Sequence, residues 1–136
     1  MSDLDALFSA ARKVRQQAYA PYSRFKVGAA VIDENGTLHS GCNVENAAYP
    51  VGTCAEAGAI AAMIAAGGRH IRALAVAGEG LVTPCGACRQ RIREFGNDAT
   101  RVHVIDGQAQ LKTFTLEQLL PEAFGPDNLT KEHRAS

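Results

Sequence analysis

From Ala55 to Ala66 the chain reads Ala-Glu-Ala-Gly-Ala-Ile-Ala-Ala-Met-Ile-Ala-Ala, and Gly67-Gly68 stops it. A helix this apolar on every side has no face to show to water, so it must run through the centre of the fold. Something has to cover it all round, and the flanking segments supply a sheet. Val-rich and small apolar residues at 25–32 suit a buried strand, Asp33-Glu34-Asn35-Gly36 is a hairpin turn, and 37–44 reads as the returning strand. Further strands are expected at 71–78 and 101–105, with a helix at about 86–95 between them and a short edge strand near 112–115.

The amino-terminal segment has a different texture. Leu4, Leu7, Phe8, Ala11, Val14 and Ala18 recur at helical spacing with Arg12, Lys13, Arg15 and Gln16 between them, which predicts an amphipathic helix over 3–19. Ser2 or Asp3 can cap it, and Pro21 stops it. Thr115-Leu116-Glu117-Gln118 resembles the opening of a last helical turn, ended by Pro121. The order α, β-hairpin, α, β, α, β, β describes an α/β fold. It is a three-layer α/β/α sandwich around a mixed five-stranded sheet. The 136 residues are read as one domain, with about 126–136 a flexible tail.

Charge and hydropathy narrow the function. Fourteen Lys and Arg balance fourteen Asp and Glu, which disfavours nucleic acid as a partner, because such partners call for a basic surface. The apolar run from Ala59 to Ala66 is far short of the roughly 20 residues that cross a bilayer. The acidic opening Met1-Ser2-Asp3-Leu4-Asp5 does not suit a secretory leader. A cytoplasmic protein with no membrane partner is expected, and there four cysteines point to metal or catalysis before disulfides.

Pro84-Cys85-Gly86-Ala87-Cys88 sets two thiols one turn apart at a helix entrance, where the N-terminal dipole favours thiolate. Two thiolates do not complete a zinc site. Cys54, at the start of the central helix, is the candidate third ligand, and three protein ligands leave one position for water, as in catalytic zinc sites. Glu56 lies two residues beyond Cys54, close enough to move a proton without binding the metal. A redox C-x-x-C pair and a closed four-cysteine site including Cys42 are the competing readings. Neither has a use for Glu56, and Cys42 has no neighbour at chelating spacing.

Together with Pro21-Tyr22-Ser23-Arg24-Phe25-Lys26-Val27-Gly28-Ala29-Ala30, Gly41-Cys42-Asn43-Val44-Glu45-Asn46-Ala47-Ala48-Tyr49 and Leu119-Leu120-Pro121-Glu122-Ala123-Phe124, these motifs resemble the cytidine deaminase family over almost the whole chain. The all-cysteine ligand set is similar to its small homotetrameric branch. The resemblance implies zinc-dependent hydrolytic deamination of cytidine and 2′-deoxycytidine to the uridine nucleosides, with release of ammonia, in pyrimidine salvage. It implies one Zn²⁺ per subunit on Cys54, Cys85 and Cys88, and Glu56 as the proton carrier. It also implies Phe25 against the pyrimidine, the Ala55 N–H at its O2, and Asn43 and Glu45 on the ribose 3′-hydroxyl. Ala47, Tyr49 and Phe124 would complete a neighbouring subunit's pocket. His39, His70, His103 and His133 fall outside all of these motifs.

One position departs from the resemblance. The family commonly carries Arg directly after the catalytic Glu, and this chain has Ala57. Three thiolates and one Zn²⁺ sum to −1, and relief of that charge must come from the two helix N-termini, from Arg89 beside Cys88 or from a residue the motifs do not place; Arg89 and the backbone donors are expected to suffice. Other functions on the same motifs are deamination of another cytosine nucleoside such as blasticidin S, a catalytically silent zinc-binding protein, and RNA or DNA editing. Asn43 and Glu45 suit an ordinary ribose, Glu56 argues against silence, and the neutral charge argues against a polynucleotide.

Overall fold

The computed structural model describes residues 2–107 and 110–130. Its elements are α1 (Asp3–Arg15), β1 (Gly28–Asp33), β2 (Leu38–Cys42), α2 (Ala55–Ala65), β3 (Ile71–Ala77), α3 (Gly86–Phe95), β4 (Arg101–Ile105), β5 (Leu111–Thr115) and α4 (Leu116–Leu119). The five strands form one sheet in the order β2-β1-β3-β4-β5. All neighbouring pairs are antiparallel except β3 and β4, which are parallel and joined through α3. The three layers are α1, the sheet, and α2 with α3 and α4.

Alternation along the strands decides which helix goes where. Ala30, Ile32, Ala75, Ala77 and Ile105 face α1 and pack on Leu7 and Ala11. On the other face Ala29, Val31, Leu74, Val76 and Val102 pack on Ala59, Ile60 and Met63 of α2, Ile92 of α3, and Leu116 and Leu119 of α4. The central helix is thus buried against the sheet, as its composition requires. Ser2 caps α1 in a capping box with Asp5, and Thr115 does the same for α4 with Gln118. At the hairpin, Asp33 accepts the Asn35 and Thr37 N–H groups and faces His39 Nε2 at 2.8 Å.

Two boundaries differ from the periodicity, for one reason. The first helix ends at Arg15 rather than 19 because Tyr19 pairs with Val44: its N–H donates to the Asn43 carbonyl, and its carbonyl accepts from the Glu45 N–H. The first strand starts at Gly28 rather than 25 because the Asn43 amide takes up the preceding backbone. It accepts from the Val27 N–H and donates to the Phe25 carbonyl, both at 2.8 Å. At the far end, Pro126–Asn128 forms a 3-10 turn in which the Gly125 N–H donates to Asn128 Oδ1. The remainder of the expected tail, 131–136, lies outside the described residues.

At Gly41 helix α2 also approaches the sheet backbone to backbone. A Cβ at Gly41 would come within 2.3 Å of the Ala59 backbone nitrogen. A Cβ at Gly28 would meet the Ala11 carbonyl of α1 at 2.1 Å on the opposite face. Such overpacking typically costs about 1–3 kcal/mol, and here the neighbour is backbone that cannot rotate aside. Gly41→Ala is therefore expected to destabilise the fold by about 3 kcal/mol in denaturant titrations. A Gly41→Ala protein with wild-type stability would refute this close approach.

Candidate metal centre and active site

The site forms where helices begin. Cys54 is the N-cap of α2, Cys85 the N-cap of α3, and Cys88 lies in the first turn of α3. Helix α3 starts beyond the carboxyl end of β3, the edge of an α/β sheet where ligands gather. Val44 is stitched on one side to Tyr19 and on the other to Thr53. This double bridge fixes the 43–45 segment beside the start of α2. Residues scattered over the sequence therefore meet at one end of the sheet.

The three thiol sulfurs lie within 4.8 Å of one another, and Cys54 Sγ is 3.8 Å from Cys85 Sγ. Zn–S bonds of about 2.3 Å in a tetrahedron require sulfurs about 3.8 Å apart, so the donor set fits zinc. The local charges agree. The Cys88 N–H holds the Cys85 thiol below its ordinary range. Burial pushes the Cys54 and Cys88 thiols up, and the neighbouring acidic groups add to the rise. Three thiolates at this spacing repel one another, and a dication among them removes that penalty.

Glu56 is 4% exposed. Burial raises its carboxyl above the usual range, against the pull of its own backbone N–H, of Arg91 and of Cys88. A carboxyl held toward neutrality in a cleft suits proton exchange with substrate.

A cleft of about 600 Å³ opens over the sulfurs, within the usual range for a small-molecule site. Phe25, Asn43, Glu45, Tyr49, Ala55 and Glu56 all line it, with Cys54 and Cys85. Cys88 lies fully buried below. Ala47 does not line this cleft, and Phe124 lines a separate depression of about 240 Å³ beside Gln90. Glu45 accepts the Tyr22 and Ser23 N–H groups and the Ser23 hydroxyl, so it pins the loop that carries Phe25. Asn43 pins the same loop further on. Ser23, which also accepts the Phe25 N–H, and Tyr22, whose ring meets Tyr49 edge-on at 6.1 Å, are site residues that the motifs alone did not single out.

The charge relief expected of Arg89 is not found. Its guanidinium donates to the Pro84 carbonyl at 2.7 Å, the Leu119 carbonyl at 2.8 Å and Thr83 Oγ1 at 3.1 Å. It braces the loop before Cys85 and touches no sulfur. Arg91 does instead, with Nη1 3.2 Å from Cys88 Sγ. Helix geometry explains the difference: position i+1 turns about 100° away, whereas i+3 returns to the same face. The Cys88–Arg91 spacing was the available signal.

Three sulfurs at two helix N-termini, a donor set that would leave a zinc ion one position for water, and a buried carboxylate beside them define a metal-dependent hydrolytic centre. Residues 1–104 match the family described as the cytidine and deoxycytidylate deaminase zinc-binding region. The cytidine deaminase of Sporosarcina psychrophila is 44% identical over 130 residues, spanning 94% of this chain and 96% of its own. That of Mycobacterium tuberculosis is 42% identical over 134 residues, 97% of each chain. The crystal structure of cytidine deaminase from Burkholderia pseudomallei superposes with a TM-score of 0.86 at 44% identity, covering 91% of this chain and 100% of that one. The chain belongs to the zinc-binding cytidine and deoxycytidylate deaminase family.

Proposed function

We propose that the chain hydrolyses the exocyclic amine from free cytidine and 2′-deoxycytidine, giving the uridine nucleosides and ammonia. The observation that carries this reading is Glu56, buried to 4% exposure in a cleft beside three clustered thiols. Cys54, Cys85 and Cys88 would hold one zinc ion, which when bound activates water at neutral pH. Glu56 would accept one proton from the attacking water and deliver it to the ring N3, then take the proton of the hydroxyl formed at C4 and pass it to the departing amine. Phe25 packs against the pyrimidine, and the Ala55 N–H donates to its O2. Asn43 and Glu45 take the 3′-hydroxyl. Beyond the loop contacts already made, the Asn43 amide keeps a second N–H and the Glu45 carboxylate keeps unused lone pairs.

The same reading makes the chain a single-domain, cytoplasmic enzyme of pyrimidine salvage that works as a homotetramer. Ala47, Tyr49 and Phe124 of one subunit would close a neighbour's pocket. Tyr49 at 76% and Phe124 at 57% exposure are large apolar side chains that assembly would cover. Among the described residues no helix is long and apolar enough to cross a membrane. With no net charge, the chain suits a neutral nucleoside better than a polynucleotide.

The test follows ultraviolet absorbance and ammonia release with cytidine, 2′-deoxycytidine, blasticidin S and single-stranded RNA as separate substrates. Turnover of the first two, with little of the others, is the expected result. A zinc-loaded protein that turns over neither cytidine nor 2′-deoxycytidine would overturn the proposal.

A further inference from the structure

The geometry assigns to Arg91 the task of balancing the charge of the zinc–thiolate centre, from α3 rather than from the position after Glu56 on α2. This inference rests on the zinc-dependent reading above and adds a positioning residue to it. Three thiolates with one Zn²⁺ carry −1, and an ionised Glu56 adds to the negative charge. Cys88 is the sulfur most in need of a donor, because it is fully buried and has no water to hydrate it.

The other sources of relief are not directed at Cys88. Ala57 has no charge to offer. Arg89 is held by two carbonyls and a hydroxyl. The Ala87 and Cys88 N–H groups at the head of α3 serve Cys85. Arg91 reaches Cys88 Sγ at 3.2 Å, and among the described residues it forms no ion pair with an Asp or Glu. Its charge is therefore directed at the metal centre, where the Glu56 carboxyl also feels it.

A cationic donor on a thiolate draws electron density from the sulfur, which then donates less to the metal and leaves it the stronger electrophile. Without Arg91 the metal would polarise water less well. Substrate binding would be untouched, because Arg91 does not line the cleft.

The experiment uses the cobalt(II)-substituted protein, whose thiolate-to-metal charge-transfer absorption reads sulfur electron density without any turnover. Arg91→Gln is expected to move that band to lower energy. It is also expected to lower kcat about 10- to 100-fold at equal metal loading, with KM unchanged. Both Arg91→Lys and the double variant Ala57→Arg/Arg91→Gln, which returns a cation from α2, are expected to bring the band back toward its wild-type position. An unmoved band in Arg91→Gln, or a shift that neither cation reverses, overturns the inference. The band is read independently of activity, so a wild-type protein inactive on cytidine would sink the proposed function and leave this test standing.

Discussion

Glu56→Gln is expected to lower the rate of cytidine deamination by about 10²- to 10⁴-fold while zinc content stays at the wild-type level. Glutamine keeps the shape of the side chain and its place in the first turn of α2. What it loses is the ability to accept a proton and pass it on. The reaction needs two proton deliveries to the substrate, at N3 and at the amine, and the cleft offers no other carboxylate as deeply buried. Glu45, the other acid lining the cleft, is held below its ordinary range by the Ser23 hydroxyl and the Tyr22 and Ser23 N–H groups, which makes it a poorer proton carrier. Parallel assays of turnover and metal content separate the outcomes. Wild-type rates in Glu56→Gln would remove the proton carrier from the mechanism.

Cys88→Ala acts on the metal rather than on the proton. Loss of partners that merely orient ligands typically lowers metal affinity or activity 10- to 100-fold, so loss of a ligand itself should exceed about 100-fold. The expected protein gives up zinc on dialysis against a mild chelator and shows no measurable deamination. A loss of about 100-fold in affinity also removes about 2.3 kcal/mol of metal-linked stability when the metal is present at 100 times its wild-type dissociation constant. Melting temperatures with and without added zinc should therefore converge in Cys88→Ala and stay apart in the wild type. Retention of zinc by Cys88→Ala would exclude this sulfur as a ligand.

Much of this architecture was legible because its signals are local. The apolar run after Cys54 could only be an inner helix, and Pro84-Cys85-Gly86-Ala87-Cys88 could only place its thiols together at a helix entrance. The misread boundaries depend on contacts distant in sequence. Helical periodicity continues past Arg15, but the Tyr19 backbone is captured by residues 43–45. The Val-rich run at 25–32 looked like strand from its first residue, but the Asn43 side chain supplies the hydrogen bonds a neighbouring strand would have made. Arg89 and Arg91 show a different failure. Adjacency in sequence favoured the wrong one, and the turn of the helix chose the other.

The contacts at Gly28 and Gly41 carry a thermal consequence. Side chains that anchor a helix by interlocking must surrender rotational freedom on folding, a cost of about 0.5–2 kcal/mol each for the longer ones, and they regain some of it as temperature rises. Glycine and alanine have no such freedom to surrender or regain. Where α2 rests on β2 the touching atoms at Gly41 and Ala59 are backbone, and Cys54 and Glu56 stand on the turn just before. The spacing between metal ligand and proton carrier is thus set by covalent geometry and contact radii. It should loosen little on warming until the whole sheet gives way.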